Sequence, residues 1–148
     1  MGFSWQLIND SITDGDKKAL TDFITTPNQR FTNGPKVREF EQAWSDYLDC
    51  EFSVFVNSGA SANYIMASIM KEEKGVGEVI VSPLGWVSDV APLVNLGFTP
   101  VFVDVSMENM SITIDNIKAA VTDKTVGVSL VHVLGFAAVS EELVQFCE

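Results

Sequence analysis

The chain has 148 residues, 47% of them apolar, and a mean hydropathy of +0.20. This length is that of one ordinary domain, and this composition excludes disorder, collagen and coiled coil. Asp and Glu outnumber Lys and Arg by 20 to 9, which gives a net charge of −11. Because such a surface repels phosphate backbones and anionic lipid, we expect neither a nucleic-acid partner nor a membrane partner.

Cysteine and histidine are scarce in this chain. Cys50, Cys147 and the single histidine, His132, are fewer ligands than a metal site needs. The two cysteines are expected to be buried or half-exposed thiols in a reducing compartment. No signal peptide is visible, and the longest apolar runs, 128–133 and 135–139, are too short to cross a bilayer. The sequence therefore predicts a cytoplasmic protein with no metal site.

The first fifty residues are predicted to be helical. Thr13 is a suitable N-cap with Asp16 three residues later, and Pro35 suits the first position of a second helix. Apolar side chains recur at helical spacing in both segments: Ala19, Leu20, Phe23 and Ile24 in the first, and Val37, Phe40, Trp44, Tyr47 and Leu48 in the second. Both stripes are expected to face a core.

From residue 52 onward, short apolar runs alternate with helical segments. Strands are predicted at 53–56, 78–82, 99–105 and 125–133. Helices are predicted at 61–74, 87–96 and 114–121, and a last one begins near Ser140. Strands that are apolar on both faces and alternate with helices indicate an α/β fold, with a mostly parallel sheet flanked by helices.

Residues 57–63, Asn-Ser-Gly-Ala-Ser-Ala-Asn, follow the first predicted strand. Their small side chains let the backbone approach a ligand, and the free amides at a helix start suit a phosphate group. The hydroxyls of Ser58 and Ser61 add donors. The alternative is a tight turn in which Ser58 only caps the helix. The spacing leaves both interpretations open, and it matches neither a Walker motif nor G-x-G-x-x-G.

Three further residues stand at predicted strand ends, where open α/β sheets bind ligands. Trp86 either stacks on a heteroaromatic ring or packs between helix and sheet. Asp104 either orients a ligand or caps the following turn, and His132 is expected to be a hydrogen-bonded structural residue. No Ser-His-Asp, Cys-His or paired-carboxylate set follows from the spacing, so no catalytic residue is assigned.

Taken together, these segments resemble the DegT/DnrJ/StrS family of sugar aminotransferases and dehydratases, which depend on pyridoxal 5'-phosphate (PLP). The resemblance runs from about Phe31 to the last residue. It rests on five segments in the family's order: 32–41, 57–63, 77–81 with Trp86, 99–105, and 131–135. In the segment 57–63, this chain has a serine followed by an asparagine, and this variant of the family motif is more similar to that of the deoxysugar 3-dehydratases.

The resemblance implies the incomplete large domain of a fold-type I PLP-dependent transferase and a set of cofactor contacts. Gly59, Ala60 and Ser61 would hold the phosphate of PLP or of pyridoxamine 5'-phosphate (PMP) through amides and a hydroxyl. Trp86 would stack on the pyridine ring, and Ser88 would add a polar contact. The substrate would be a nucleotide-linked keto-deoxysugar, and the assembly would be a homodimer.

The chain also departs from the family pattern. Ala60 stands where most members have threonine, which removes one hydroxyl donor. The acidic partner of the pyridine nitrogen and the Schiff-base lysine, or the histidine that replaces it, would lie beyond the helix that begins near Ser140. The lysines on helices and turns here, Lys71, Lys74, Lys118 and Lys124, do not fit that role.

These departures lead to two hypotheses about function. The first is an N-terminal fragment or truncated form of such an enzyme, with a helical segment at 1–50 and a partial transferase domain at 51–148. The second is a non-catalytic truncated paralogue that acts as a dimerisation or interaction module.

Overall fold

A computed structural model describes residues 10–148, and the part of the predicted helical segment that falls on residues 1–9 lies outside it. The chain divides into two compact units, Met1–Phe55 and Val56–Glu148. Among the described residues, no helix has the length and apolar character needed to cross a membrane. Cys50 and Cys147 are free thiols, and both are exposed rather than buried: Cys50 lies two residues after a helix that ends at Leu48, and Cys147 is the last residue of another helix.

The first unit contains α1 (Asp14–Thr25) and α2 (Pro35–Leu48). Both predicted helix starts are confirmed. Thr13 and Asp16 form a capping box, in which the Thr13 Oγ1 accepts from the Asp16 amide at 3.2 Å and the Asp16 Oδ2 accepts from the Thr13 amide at 2.7 Å. Pro35 occupies the first turn of α2, where its missing N–H costs no hydrogen bond.

The prediction that both apolar stripes face a core is wrong for this unit. No residue of α1 is buried, and Leu20 and Ile24 are 60% and 53% exposed. On α2, the Phe40 and Trp44 rings stack on each other with centroids 6.1 Å apart, although both side chains remain exposed. Within residues 10–55, the described part of this unit, the two helices have no sheet or third helix as a layer against which to bury an apolar face.

The second unit is an α/β arrangement, as predicted. Its elements in chain order are α3 (Gly59–Lys74), β1 (Glu78–Val81), α4 (Val87–Leu96), β2 (Thr99–Phe102), α5 (Ile114–Ala120), β3 (Thr125–Ser129), a 3₁₀ turn at Val133–Gly135, and α6 (Glu141–Cys147). The three strands are parallel in the order β2-β1-β3, so β1 is central. Strands β2 and β3 end earlier than the sequence predicts.

The predicted strand at 53–56 is wrong, because these residues form no ladder in the structure. Val54 and Phe55 are 77% and 54% exposed. A strand exists only where a neighbouring strand accepts its hydrogen bonds, and the sheet of the described residues contains three strands without this segment. The β-branched and aromatic composition therefore marks an extended segment with no partner here.

The core lies on both faces of the sheet because successive strand residues point in opposite directions. Val79 and Val81 face α3 and α4, where they pack with Ala67, Leu93 and Phe98. On the opposite face, Ile80 packs with a second group of buried side chains: Val103, Ile112, Ile117 and Leu143. The first of these clusters fixes α3 and α4 on one face and thereby positions the helix starts that carry the candidate site.

Candidate functional site

The first turn of α3 presents unpaired backbone donors. Ser58 is the N-cap, and its Oγ accepts a hydrogen bond from the Ser61 amide at 3.2 Å. The Ala62 amide donates to the Ser58 carbonyl at 3.1 Å. Within the described part of the chain, the amides of Gly59 and Ala60 have no acceptor. Two N–H groups therefore remain available at the positive end of the helix dipole.

The hydroxyls of this turn are already engaged with each other and with Asn57. The Ser61 Oγ donates to the Asn57 Oδ1 at 2.6 Å, and the Ser58 Oγ donates to the Ser61 Oγ at 3.2 Å. Each hydroxyl carries a single proton, so Ser61 has to turn away from Asn57 before it can donate to a ligand. A Cβ placed on Gly59 would meet nothing within 4 Å, which leaves open space beside the free amides. The turn fits a phosphate group, with amides as the main donors.

Trp86 lies on the loop between β1 and α4, where it precedes the first residue of the helix. Its side chain is 79% exposed, so the alternative that it packs between helix and sheet is wrong. The ring has a free face because no other layer of this unit covers it. Ser88, in the first turn of α4, is only partly exposed.

A hydrogen-bond network joins the starts of α3 and α4. The Asn63 Nδ2, on α3, donates to the Ser88 carbonyl at 3.1 Å and to the Asp89 Oδ1 at 3.0 Å. The second carboxylate oxygen, Asp89 Oδ2, accepts from the Trp86 amide at 2.8 Å. The segment that carries Trp86 and Ser88 is therefore held against the helix whose first turn carries Ser61.

Sequence reasoning missed Asn63 and Asp89 as site residues. The available signal was local, since Asp89 stands at the third position of α4, where acidic side chains commonly accept from the N-cap amide. Trp86 is an unusual N-cap residue, which hides that pattern. The contact from Asn63 spans 26 residues of sequence, and no local spacing rule predicts it.

Asp104 and His132 make local contacts. The Asp104 Oδ1 accepts from the next amide, Val105, at 2.8 Å, which agrees with the turn-capping alternative. The His132 Nδ1 accepts from the Ala138 amide at 3.1 Å, which confirms a hydrogen-bonded structural role, although this side chain is exposed and lies beyond the end of β3. Neither side chain hydrogen bonds to the predicted cofactor residues.

A cavity of about 270 Å³ lies between α3, α4 and the sheet. Its wall is mostly apolar, with Asn63, Asp89 and Ser129 as the polar members; the others are Met66, Ala67, Met70, Val79, Leu93, Val128 and Leu130. None of the five predicted cofactor residues lines it. The first turn of α3 with its cap, residues 58–61 (the phosphate turn), and the Trp86 ring thus lie outside the cavity, whereas Asn63 and Asp89 line it.

Comparison with known proteins gives a consistent assignment. The model of the DegT/DnrJ/EryC1/StrS aminotransferase family matches residues 11–148. A GDP-4-keto-6-deoxy-D-mannose 3-dehydratase of Yersinia pseudotuberculosis is 33% identical over 111 residues, which cover 71% of this chain and 28% of that protein.

Solved structures agree with this sequence match. An aminotransferase of Psychrobacter cryohalolentis, 29% identical, superposes with a TM-score of 0.76 over 86% of this chain and 32% of its own. The E. coli GDP-4-keto-6-deoxy-D-mannose-3-dehydratase with bound hydrated PLP, 28% identical, gives 0.73 over 82% of this chain and 32% of its own.

These matches confirm both the predicted fold class and the predicted resemblance. The sheet flanked by helices corresponds to the N-terminal portion of fold-type I PLP-dependent aminotransferases. The chain spans about a third of the length of the relatives it matches. Because the family model covers nearly all of the described residues, the chain belongs to the DegT/DnrJ/EryC1/StrS aminotransferase family.

Proposed function

We propose that this chain supplies the phosphate and ring contacts of a PLP- or PMP-dependent enzyme that acts on nucleotide-linked keto-deoxysugars, by amino transfer or by 3-dehydration. The observation that carries the proposal is the pair of free amides at Gly59 and Ala60, beside the Ser61 hydroxyl, at the start of a 16-residue helix. Residues 51–148 would form part of the cofactor-binding domain.

The phosphate would be held by neutral donors. The Gly59 and Ala60 amides point along the helix dipole, and the dipole favours a dianionic group at that end. The Ser61 hydroxyl would exchange its bond to Asn57 for one to the phosphate. Such a site needs no cationic side chain, which suits a chain whose net charge is −11.

The pyridine ring would lie against Trp86, and Ser88 would add a polar contact nearby. An exposed indole offers a face for offset stacking on a heteroaromatic ring. When bound, PLP or PMP supplies the electron sink for chemistry at the sugar, and the residues of this chain fix its phosphate and one ring face. No side chain of this chain is assigned to move a proton at the substrate.

The substrate class rests on the relatives. The Yersinia protein is named for a GDP-linked 4-keto-6-deoxy sugar, and a Saccharopolyspora spinosa relative is named for a dTDP-linked one. Asn63 in the phosphate segment favours the 3-dehydratase branch over the aminotransferases.

A titration with two ligands tests this proposal. PMP is the suitable probe because, unlike PLP, it has no aldehyde that reacts with surface lysines. We expect PMP to quench the tryptophan fluorescence of the protein, and pyridoxamine, which lacks the phosphate, to bind at least about tenfold more weakly. Ser61→Ala should reduce the difference between the affinities for PMP and for pyridoxamine. The control Ser68→Ala, on the same helix, should leave that difference unchanged. Equal affinity for both ligands would contradict a phosphate site at this turn.

The second candidate is a dimerisation or interaction module. It is favoured by the sheet, in which β3 pairs only with β1 and presents its other edge unpaired within the described part of the chain. Such an edge supports association between chains. Light scattering tests this candidate: a module should give twice the monomer mass of 16.2 kDa, and a mass that stays at the monomer value at every concentration would exclude it.

A further inference from the structure

Both oxygens of the Asp89 carboxylate are used to join two helix starts. The Oδ2 accepts from the Trp86 amide at 2.8 Å, and the Oδ1 accepts from the Asn63 Nδ2 at 3.0 Å. Asn63 and Asp89 are both half-buried, so these bonds are partly shielded from water. Hydrogen bonds to a charged acceptor in such surroundings are stronger than exposed ones.

Pro92 explains why Asn63 also reaches the backbone of α4. Proline has no N–H, so the carbonyl four residues earlier, that of Ser88, loses its helical donor. The Asn63 Nδ2 lies 3.1 Å from this carbonyl oxygen and replaces the missing donor. One side-chain amide thus satisfies an acceptor left by a buried proline and contacts the neighbouring carboxylate.

We propose that Asn63 and Asp89 are positioning residues, which hold the Trp86 ring segment against the phosphate turn before the cofactor binds. The proposal rests on the proposed function, in which Trp86 contacts the ring. Asn63 lies two residues after Ser61, so the link is made from the same helix whose first turn would hold the phosphate. Phosphate and ring contacts are thereby kept at a fixed separation, which lowers the ordering cost of binding.

The chemistry of the network makes Asp89→Asn a sharp test. An asparagine side chain has one acceptor oxygen and one donor NH₂, whereas Asp89 accepts from two donors. In the variant, either the Trp86 amide or the Asn63 amide faces another donor, although side-chain size is almost unchanged. The matched control is Asp115→Asn, which makes the same change at an exposed residue in the first turn of α5.

Two measurements on the protein separate positioning from binding. In the cofactor-free protein, Asp89→Asn should speed hydrogen exchange of the Trp86 amide by at least about tenfold. In a PMP titration, it should weaken binding by about tenfold. Asp115→Asn should change neither quantity. Asp89→Glu, whose longer side chain can still cap the helix start, should retain most of the protection of the Trp86 amide.

A second pair of variants tests the role of Asn63 without altering a charge. Asn63→Ala should weaken PMP binding by several-fold, and the loss should be smaller when Pro92→Ala restores an N–H to the Ser88 carbonyl. This double-mutant comparison still tests the proposal if the Asp89→Asn variant fails to fold.

The outcomes are distinguishable. Unchanged exchange and unchanged PMP affinity in Asp89→Asn would overturn the proposal, as would equal losses for Asn63→Ala in both Pro92 backgrounds. If the wild-type protein does not bind PMP, the proposed function fails. The exchange rate of the Trp86 amide then decides by itself whether Asp89 and Asn63 hold the segment.

Discussion

Single residues at the start of α3 can cap the helix and still leave room for an anion. Ser58 caps α3, and the cap leaves the Gly59 and Ala60 amides free, so the two interpretations that the sequence left open are compatible. An N-cap satisfies only one of the donors at a helix start. The remaining donors are the ones that an anion would use.

Ser58 variants separate stability from anion binding. Ser58→Ala should lower the free energy of unfolding by about 1 kcal/mol, measured by urea titration. Ser58→Asp should keep the cap and the stability, yet weaken PMP binding because its carboxylate repels the phosphate. Ser140→Ala removes the equivalent cap of α6 and is the control that should lower stability alone. Unimpaired PMP binding by Ser58→Asp would speak against the phosphate turn.

Trp86 variants test whether cofactor binding needs only an aromatic ring at this position or the indole itself. Trp86→Ala should weaken PMP binding by about three- to tenfold, because a stacked aromatic pair contributes about 0.5–1.5 kcal/mol beyond its buried area. Trp86→Phe should retain most of the affinity. The measurement is competition calorimetry, since these variants lose the fluorescent probe. The same loss in both variants would show that stacking is not the contact.

The sequence sufficed to predict the capped helix start after Ser58 and the place of Trp86 at a strand end, but not the contacts that join them. The sequence shows local patterns directly, and these include small residues, a helix cap and an aromatic residue at a strand end. The Asn63–Asp89 contact depends on how α3 and α4 pack, which side-chain spacing within either helix does not encode. Pro92 implies that the Ser88 carbonyl lacks a helical donor, but the group that replaces this donor comes from another helix.

Among the secondary-structure elements, those with local end signals were predicted well. Helix α4 begins at Val87 and ends at Leu96 as expected, because Gly97 adopts a φ of 95° that terminates a helix. The segment 53–56 was predicted wrongly because strand formation depends on a partner elsewhere in the chain. The apolar stripe of α1 correctly predicted a helix but not its burial, which also depends on partners.

Helix α2 and the segment that follows it are joined by Glu41. Its Oε1 accepts from the Phe55 amide at 3.0 Å, and its Oε2 accepts from the Arg38 Nη1 at 3.0 Å. The Phe55 amide is the main cause that lowers the pKa of Glu41 below its ordinary value of 4.5; desolvation opposes this effect, and Arg38 adds to it. A lowered pKa in the folded state means that the ionised form stabilises the fold.

Replacing Glu41 should therefore give a pH-dependent loss of stability. Glu41→Gln should lower the melting temperature at pH 7, and the difference from wild type should shrink as the pH falls from about 4.5 through the lower pKa of the folded state, where the wild-type carboxylate becomes protonated. Circular dichroism at several pH values measures this. Glu39→Gln, on the exposed side of α2, is the control with little effect. A difference that stays constant down to pH 3 would contradict this role.

At the scale of the whole molecule, the net charge of −11 governs association. Copies of an acidic protein repel each other, and salt screens that repulsion. If the chain self-associates as the second candidate function requires, raising the salt from about 0.01 to about 0.15 M at neutral pH should strengthen association, measured by sedimentation velocity. Near the pI of 4.3 the salt effect should vanish. Association that weakens with salt would indicate contacts between opposite charges instead.

The short bridge between the starts of α3 and α4 has a thermodynamic consequence for ligand recognition. If the proposed contacts hold, anything that orders the phosphate turn also orders the ring segment, because Asn63 belongs to one helix and Asp89 to the other. Coupling between two parts of a site is reciprocal. Inorganic phosphate alone would then lower the entropy cost of docking a pyridine ring, and a ring without its phosphate would favour anion binding by the same factor.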